Sequence, residues 1–205
     1  MANVIEKSVA KICLEMIRES LIDKRDYFIY KYNLIVLCEK AIAIVPILVV
    51  STLLNYLIEM IVFIMSFAFV RKYSGGYHCK SFAGCFVLSS ISCMSSIPMA
   101  LLFIHYYSEF VLLSSVAAIV IFSIGSINNP LIDWSEDEFV LAKNRCRTVC
   151  IVLFIVLLAL GISEYTRSYS VFVGIGLIQS SISLVIYRLL KGGKNYGTEA
   201  QESCS

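Results

Sequence analysis

"LIVLCEKAIAIVPILVVSTLLNYLIEMIVFIMSFAFV", residues 34–70, carries a single charge, Glu59, beyond position 40. A helix crosses a ~30 Å hydrocarbon core with about 20 apolar residues. The stretch is therefore too long for one crossing and barely long enough for two. Its centre, "LLNYLIE", holds the best place for a tight turn, at Asn55. Whether the chain turns there sets the side on which everything downstream falls.

Charge decides the matter. Further apolar segments occupy 82–104, 110–127, 148–163 and 169–190. With a turn at Asn55 the chain crosses six times. Sixteen of the 17 Lys and Arg then share one side, in 1–40, 71–80, 143–147 and 188–194, and only Arg167 lies opposite. A single crossing of 34–70 would divide the basic residues almost evenly. Basic loops stay on the cytoplasmic side, so six spans are expected, with both termini and the 71–81 loop in the cytoplasm.

Composition agrees with a membrane chain. Of 205 residues 59 % are hydrophobic and 16 % charged, against about 25 % charged in soluble domains. A β-barrel would need alternating ten-residue segments, which are absent, so the expected class is all-α and polytopic. Residues 1–31 add an amphipathic helix. Val4, Ile5, Val9, Ile12, Cys13, Met16, Ile17 and Leu21 recur at helical spacing, with Glu6, Lys7, Lys11, Glu15, Arg18 and Glu19 between them. Such a helix lies in the membrane interface or docks on the rest of the protein. The expected organisation is an interfacial helix at 1–31, a six-helix domain at 32–190 and a flexible cytoplasmic tail at 191–205. No cleavable leader is expected.

Polar chemistry concentrates in "RKYSGGYHCKSFAGC", residues 71–85. Gly75 and Gly76 let a ligand or peptide approach the backbone closely. His78 can accept a proton near neutral pH, and Cys85 can supply a thiolate. A cysteine paired with a base is the machinery of acyl transfer. A helix N-terminus near Phe82, or the protonated His78, would favour that thiolate. On an unbroken helix, seven residues return to the same face about 10.5 Å further along. A working pair therefore needs a bend, at Gly75, Gly76 or Gly84, or a second protomer.

Three other readings of these residues stand beside that one. Cys79 is a rival nucleophile, although neighbours in sequence point apart. Zinc held by His78, Cys79 and Cys85 lacks a completing ligand nearby. The loop also reads as a polar turn between two helices. No cofactor, metal or nucleic-acid partner is expected. The eight cysteines form no CxxC pair and read as reduced packing residues. His105, in "FIHYYSE", falls where interfacial aromatic belts sit, and Glu59 falls within about a turn of the interface. The acidic "DWSEDE", 133–138, reads as a solvated loop, with capping or a basic partner as the alternatives.

The 71–85 stretch resembles the signature of the accessory gene regulator B (AgrB) family, with Arg71, Gly75, Gly76, His78, Ser81 and Cys85 matching position by position. The resemblance extends to chain length, the N-terminal helix, the six apolar segments and the basic side. One departure lies in the second cytoplasmic loop, where "NNPLIDWSEDEF" keeps Pro130 but lacks an Asn-Lys-Pro found in many members. The resemblance implies a bacterial membrane cysteine endopeptidase of quorum sensing. Such an enzyme cleaves an AgrD-like propeptide, with His78 as general base and Cys85 as nucleophile. The acyl group then passes to an internal cysteine or serine, giving a cyclic peptide. Arg71, Gly75, Gly76 and Ser81 would support the site or bind substrate. The implied partners are the propeptide, membrane lipid and a second copy of the chain. A peptide exporter or a non-catalytic signalling scaffold are the alternatives.

Overall fold

The computed structural model describes residues 2–19, 21–74, 82–127 and 135–191, and among these every regular element is helical. In chain order these are α1 (Ala2–Arg18), a 3₁₀ turn (Lys24–Asp26), α2 (Tyr27–Leu53), α3 (Leu57–Ser74), α4 (Phe82–Phe103), α5 (Tyr107–Ile124), α6 (Glu136–Gly161) and α7 (Arg167–Lys191). Helices satisfy their own backbone groups, which is what a chain this apolar requires in lipid.

The 34–70 stretch breaks where the sequence suggested. Asn55 adopts φ 59°, a left-handed conformation that asparagine tolerates better than most residues. The Asn55 N–H donates to Thr52 O at 3.1 Å and the Tyr56 N–H to Ser51 O at 2.8 Å. That pair of bonds is the Schellman closure, which satisfies carbonyls otherwise orphaned at a helix end.

The described residues form two compact units, one drawn from Met1–Leu57 with Cys79–Ile91, the other from Ile58–His78 with Ser92–Ser205. In the first unit α1 packs on α2, with Val9 and Cys13 buried. Lys31 Nζ on α2 meets Glu6 Oε1 on α1 at 2.8 Å. This bond holds the Glu6 carboxyl below the usual carboxylate range and the Lys31 ammonium above its ordinary value. Between the helices Asp23 accepts from the Arg25 N–H at 3.3 Å, opening the 3₁₀ turn.

In the second unit α7 is the central element, packed on α5 and α6. Two thirds of its apolar window, 67 %, is buried, against 22 % for α5 and 17 % for α6. Small residues make that possible. A Cβ on Gly174 would fall 2.3 Å from Phe110 Cζ, and one on Gly176 would fall 2.2 Å from Ser66 Oγ and 3.2 Å from the Phe67 backbone nitrogen. Close backbone approach of this kind drives helix association in membranes, where lipid tails are as apolar as leucine. Gln179 adds polar glue. Its Nε2 donates to Ser92 O at 3.0 Å and to Ser95 Oγ at 3.4 Å, while its Oε1 accepts from Ser92 Oγ. At the far end of α7, Ser170 Oγ donates to Leu157 O at 2.7 Å and meets the Tyr107 hydroxyl at 2.8 Å.

Helix α6 begins at Glu136, well ahead of the segment expected at 148–163. The described part of the acidic stretch, 135–138, is a capped helix start and not a solvated loop. Ser135 Oγ accepts from the Glu138 N–H at 3.4 Å, and the Glu138 carboxylate accepts from the Ser135 N–H at 3.0 Å. This reciprocal capping box satisfies two orphan donors, and the three acids of the first turn complement the helix dipole.

Among the described residues three helices, Tyr107–Ile124, Glu136–Gly161 and Arg167–Leu189, are long and apolar enough to cross a membrane, and Ile44–Leu53 and Val87–Phe103 are shorter apolar stretches. Helix α3 bears Glu59 in its first turn and Arg71 and Lys72 in its last. His105 lies exposed between α4 and α5, its Nδ1 2.9 Å from Leu101 O. Of the tail expected from 191, only Lys191 belongs to the described residues.

Candidate functional site

Among the described residues the sequence motif is represented at its two ends. Arg71 closes α3, and Cys85 falls on the first turn of α4, which starts at Phe82. Gly75, Gly76, His78, Cys79, Ser81 and the side chain of Cys85 lie outside the described residues.

The departure point of the loop is held firmly. Arg71 Nη1 donates to Ser183 Oγ on α7 at 2.5 Å. Tyr73 O accepts from Ser126 Oγ, and Ser74 O accepts from the Ile127 N–H at 2.9 Å. Two of the last carbonyls of α3, which a helix leaves unsatisfied, thus find partners in the segment after α5. Ser74 itself is buried. Gly125 lets that segment turn back, with φ 67°, and its carbonyl accepts from Cys146 Sγ at 3.5 Å. A Cβ at Gly125 would lie 2.7 Å from Lys143 Cγ. The last turn of α3 is therefore pinned by α7 on one side and by residues 126–127 on the other.

Beside this turn opens a cleft of about 300 Å³, lined by Lys72, Tyr73, Glu138, Leu141, Ala142 and Arg145. Its polar rim combines two cations with one carboxylate, and Lys72 Nζ sits 5.4 Å from the Tyr73 ring centroid. Sequence reasoning singled out Arg71 but not Ser183, Ser126, Gly125 or Glu138. The Ser135–Glu138 pair had a legible signature, Ser-x-x-Glu before an apolar run. Ser183, one serine in an apolar helix, had none. The free cysteines among the described residues include Cys13, Cys93, Cys146 and Cys150, all buried as packing residues.

Among the described residues every regular element is helical and three helices are apolar enough to span a bilayer, which marks a membrane protein. The family model described as "Accessory gene regulator B" matches residues 5–184, and the chain belongs to that family. Membership links it to the processing of an accessory gene regulator, quorum-sensing peptide. No curated protein and no solved structure matches the chain.

Proposed function

We propose that this protein is a membrane cysteine endopeptidase that cleaves an AgrD-like propeptide and closes the retained part into a ring. The observation that carries the reading is the family match across 5–184, which spans the whole Arg71–Cys85 motif. The position of Cys85 on the opening turn of α4 supports it, because backbone N–H groups at a helix start stabilise a thiolate.

His78 takes the proton of the Cys85 thiol, and the thiolate attacks the scissile carbonyl. The peptide C–N bond breaks, the imidazolium protonates the departing amine, and a thioester joins the propeptide to Cys85. A cysteine or serine side chain within the propeptide then gives its proton to His78 and attacks the thioester. Ring closure releases Cys85 with that proton returned to it. An internal nucleophile held close outcompetes water by its effective concentration. The enzyme acts as a homodimer, with α1 in the membrane interface, six spans, and the site and both termini in the cytoplasm.

The hydroxyls buried in the described helices favour this reading over a peptide exporter. Ser51, Ser66, Ser96 and Ser181 donate to carbonyls of their own helices, and Gln179 is taken up by Ser92 and Ser95. These groups are engaged within and between the described helices. A cleavage assay on reconstituted protein and propeptide tests the proposal. Cys85→Ala and His78→Ala each abolish release of the C-terminal fragment, while Cys79→Ala retains most of it. Cleavage by Cys85→Ala would sink the proposal.

A further inference from the structure

One concavity has no part in that chemistry. Along the α5–α6 pair runs an open groove of about 340 Å³, walled by Ala118, Ile119, Phe122, Ile151, Phe154 and Ile155. Its two remaining lining residues are already engaged. Ser115 Oγ donates to Val111 O at 2.7 Å, and Cys150 Sγ donates to Ala118 O at 3.4 Å. The walls thus offer a ligand hydrocarbon contact and nothing else, and both helices are long and apolar enough to lie in a bilayer.

One end of the groove is different. The Arg147 guanidinium lies 5.2 Å from the Phe122 ring centroid, and its Nε donates to Phe122 O at 3.1 Å. That contact fixes the side chain over the groove's end, and the terminal nitrogens of Arg147 have no acceptor among the described residues. Lys143 stands one turn earlier on the same face of α6, its stem against Gly125, and its Nζ also lacks an acceptor among them. The acids of α6 do not neutralise the pair: Glu136, Asp137 and Glu138 occupy its first turn, and Glu138 is bonded to Ser135.

We infer that the groove is a binding site for an anionic phospholipid, with an acyl chain along α5 and α6 and the headgroup phosphate on Lys143 and Arg147. Lipid tails fill any apolar groove at this depth without preference. Selectivity must therefore come from the headgroup, and two uncompensated cations at the groove's end supply it. Arginine suits this role because its fixed fork of donors matches a phosphate. On the proposed topology this end faces the cytoplasmic leaflet. The inference needs neither His78 nor Cys85, so Cys85→Ala binds the lipid as well as the parent chain does.

The test uses the full-length protein in phosphatidylcholine vesicles carrying a trace of photoreactive lipid. The probe is phosphatidylglycerol in one arm and phosphatidylcholine in the other. Peptides covering 115–122 and 150–155 take label from the phosphatidylglycerol probe in clear excess. Lys143→Gln and Arg147→Gln each lower that label roughly fivefold, while Lys143→Arg keeps it. Ile119→Trp, which fills the groove and leaves both cations, removes label from either probe. Equal labelling by the two probes in the parent chain overturns the inference. So does labelling indifferent to both cations, or cross-linking of two copies through this groove in place of lipid.

Discussion

Arg71 and Asn55 show what a single residue decides here, and how unequally the sequence announces it. Asn55 was legible because a largely apolar stretch of thirty-seven residues needed a turn and only one amide sat in the middle. Its φ of 59° and the Schellman bonds after Val50 are the physical form of that need. Arg71 was legible as a motif residue, but its partner was not, since Ser183 is remote in sequence and carries no local signal. Its bond to Arg71 is charge-assisted, and such bonds are worth about 1.5–3 kcal/mol. Ser183→Ala should therefore loosen the last turn of α3 and lower propeptide turnover several-fold. Affinity for the propeptide should change less, as a split of kcat from KM would read. Unchanged turnover would remove Ser183 from any positioning role. Ser180 makes the opposite case. Its hydroxyl is buried with no partner among the described residues, and an unpaired buried hydroxyl costs about 1–3 kcal/mol. Ser180→Ala should leave the melting temperature in detergent equal or raised, whereas Gln179→Ala, which strips Ser92 and Ser95 of their partner, should lower it.

Element boundaries followed the apolar pattern only while the chain stayed in oil. Helices α5 and α7 coincide closely with the segments expected at 110–127 and 169–190. Helix α6 does not, because its beginning is written in polar chemistry and not in hydropathy. Ser135→Ala removes the capping box and should cost about 1 kcal/mol, read as faster amide exchange in the first turns of α6 with α7 unaffected. Helix α7 depends on small residues. At Gly174 an added methyl would strike the buried Phe110 ring, and overpacking of this kind costs about 1–3 kcal/mol. Gly174→Ala should lower the melting temperature more than Gly161→Ala, where the opposing atom is the end of the Tyr107 side chain. The attachment of α1 to α2 has its own pH signature. Glu6 is depressed by Lys31, so its contribution is present above the unfolded carboxylate pKa. It fades as pH falls from the ordinary carboxylate range through the lowered folded value. Exchange of α1 amides should quicken there in the parent chain and show no such step in Glu6→Gln. The effect will be small, since the pair is exposed and screened.

For the molecule as a whole, hydropathy and charge carry different parts of the argument. Hydropathy, read on the described helices, marks three spans and two shorter stretches, and by itself leaves the parity of the chain open. On the proposed six-span topology charge closes it, because a turn at 54–56 would place sixteen of the seventeen basic residues on one side and strand Arg167 alone. The membrane potential and the anionic inner leaflet both retain cations in the cytoplasm. That topology would put the 71–81 loop on the same side of the bilayer as the 136–147 turns of α6. It would bring the proposed catalytic motif, the pinned end of α3 and the Lys72–Arg145 cleft to one face of the bilayer. Single cysteines in a chain cleared of its native ones make this measurable. Leu54→Cys and Tyr165→Cys, both at exposed turns, should react with an impermeant maleimide in intact cells. Asp137→Cys should react only after permeabilisation. If Leu54→Cys stays silent until the cells are opened, 34–70 crosses once at most. The motif would then lose its shared side with α6, and a propeptide held at the inner leaflet could not reach it.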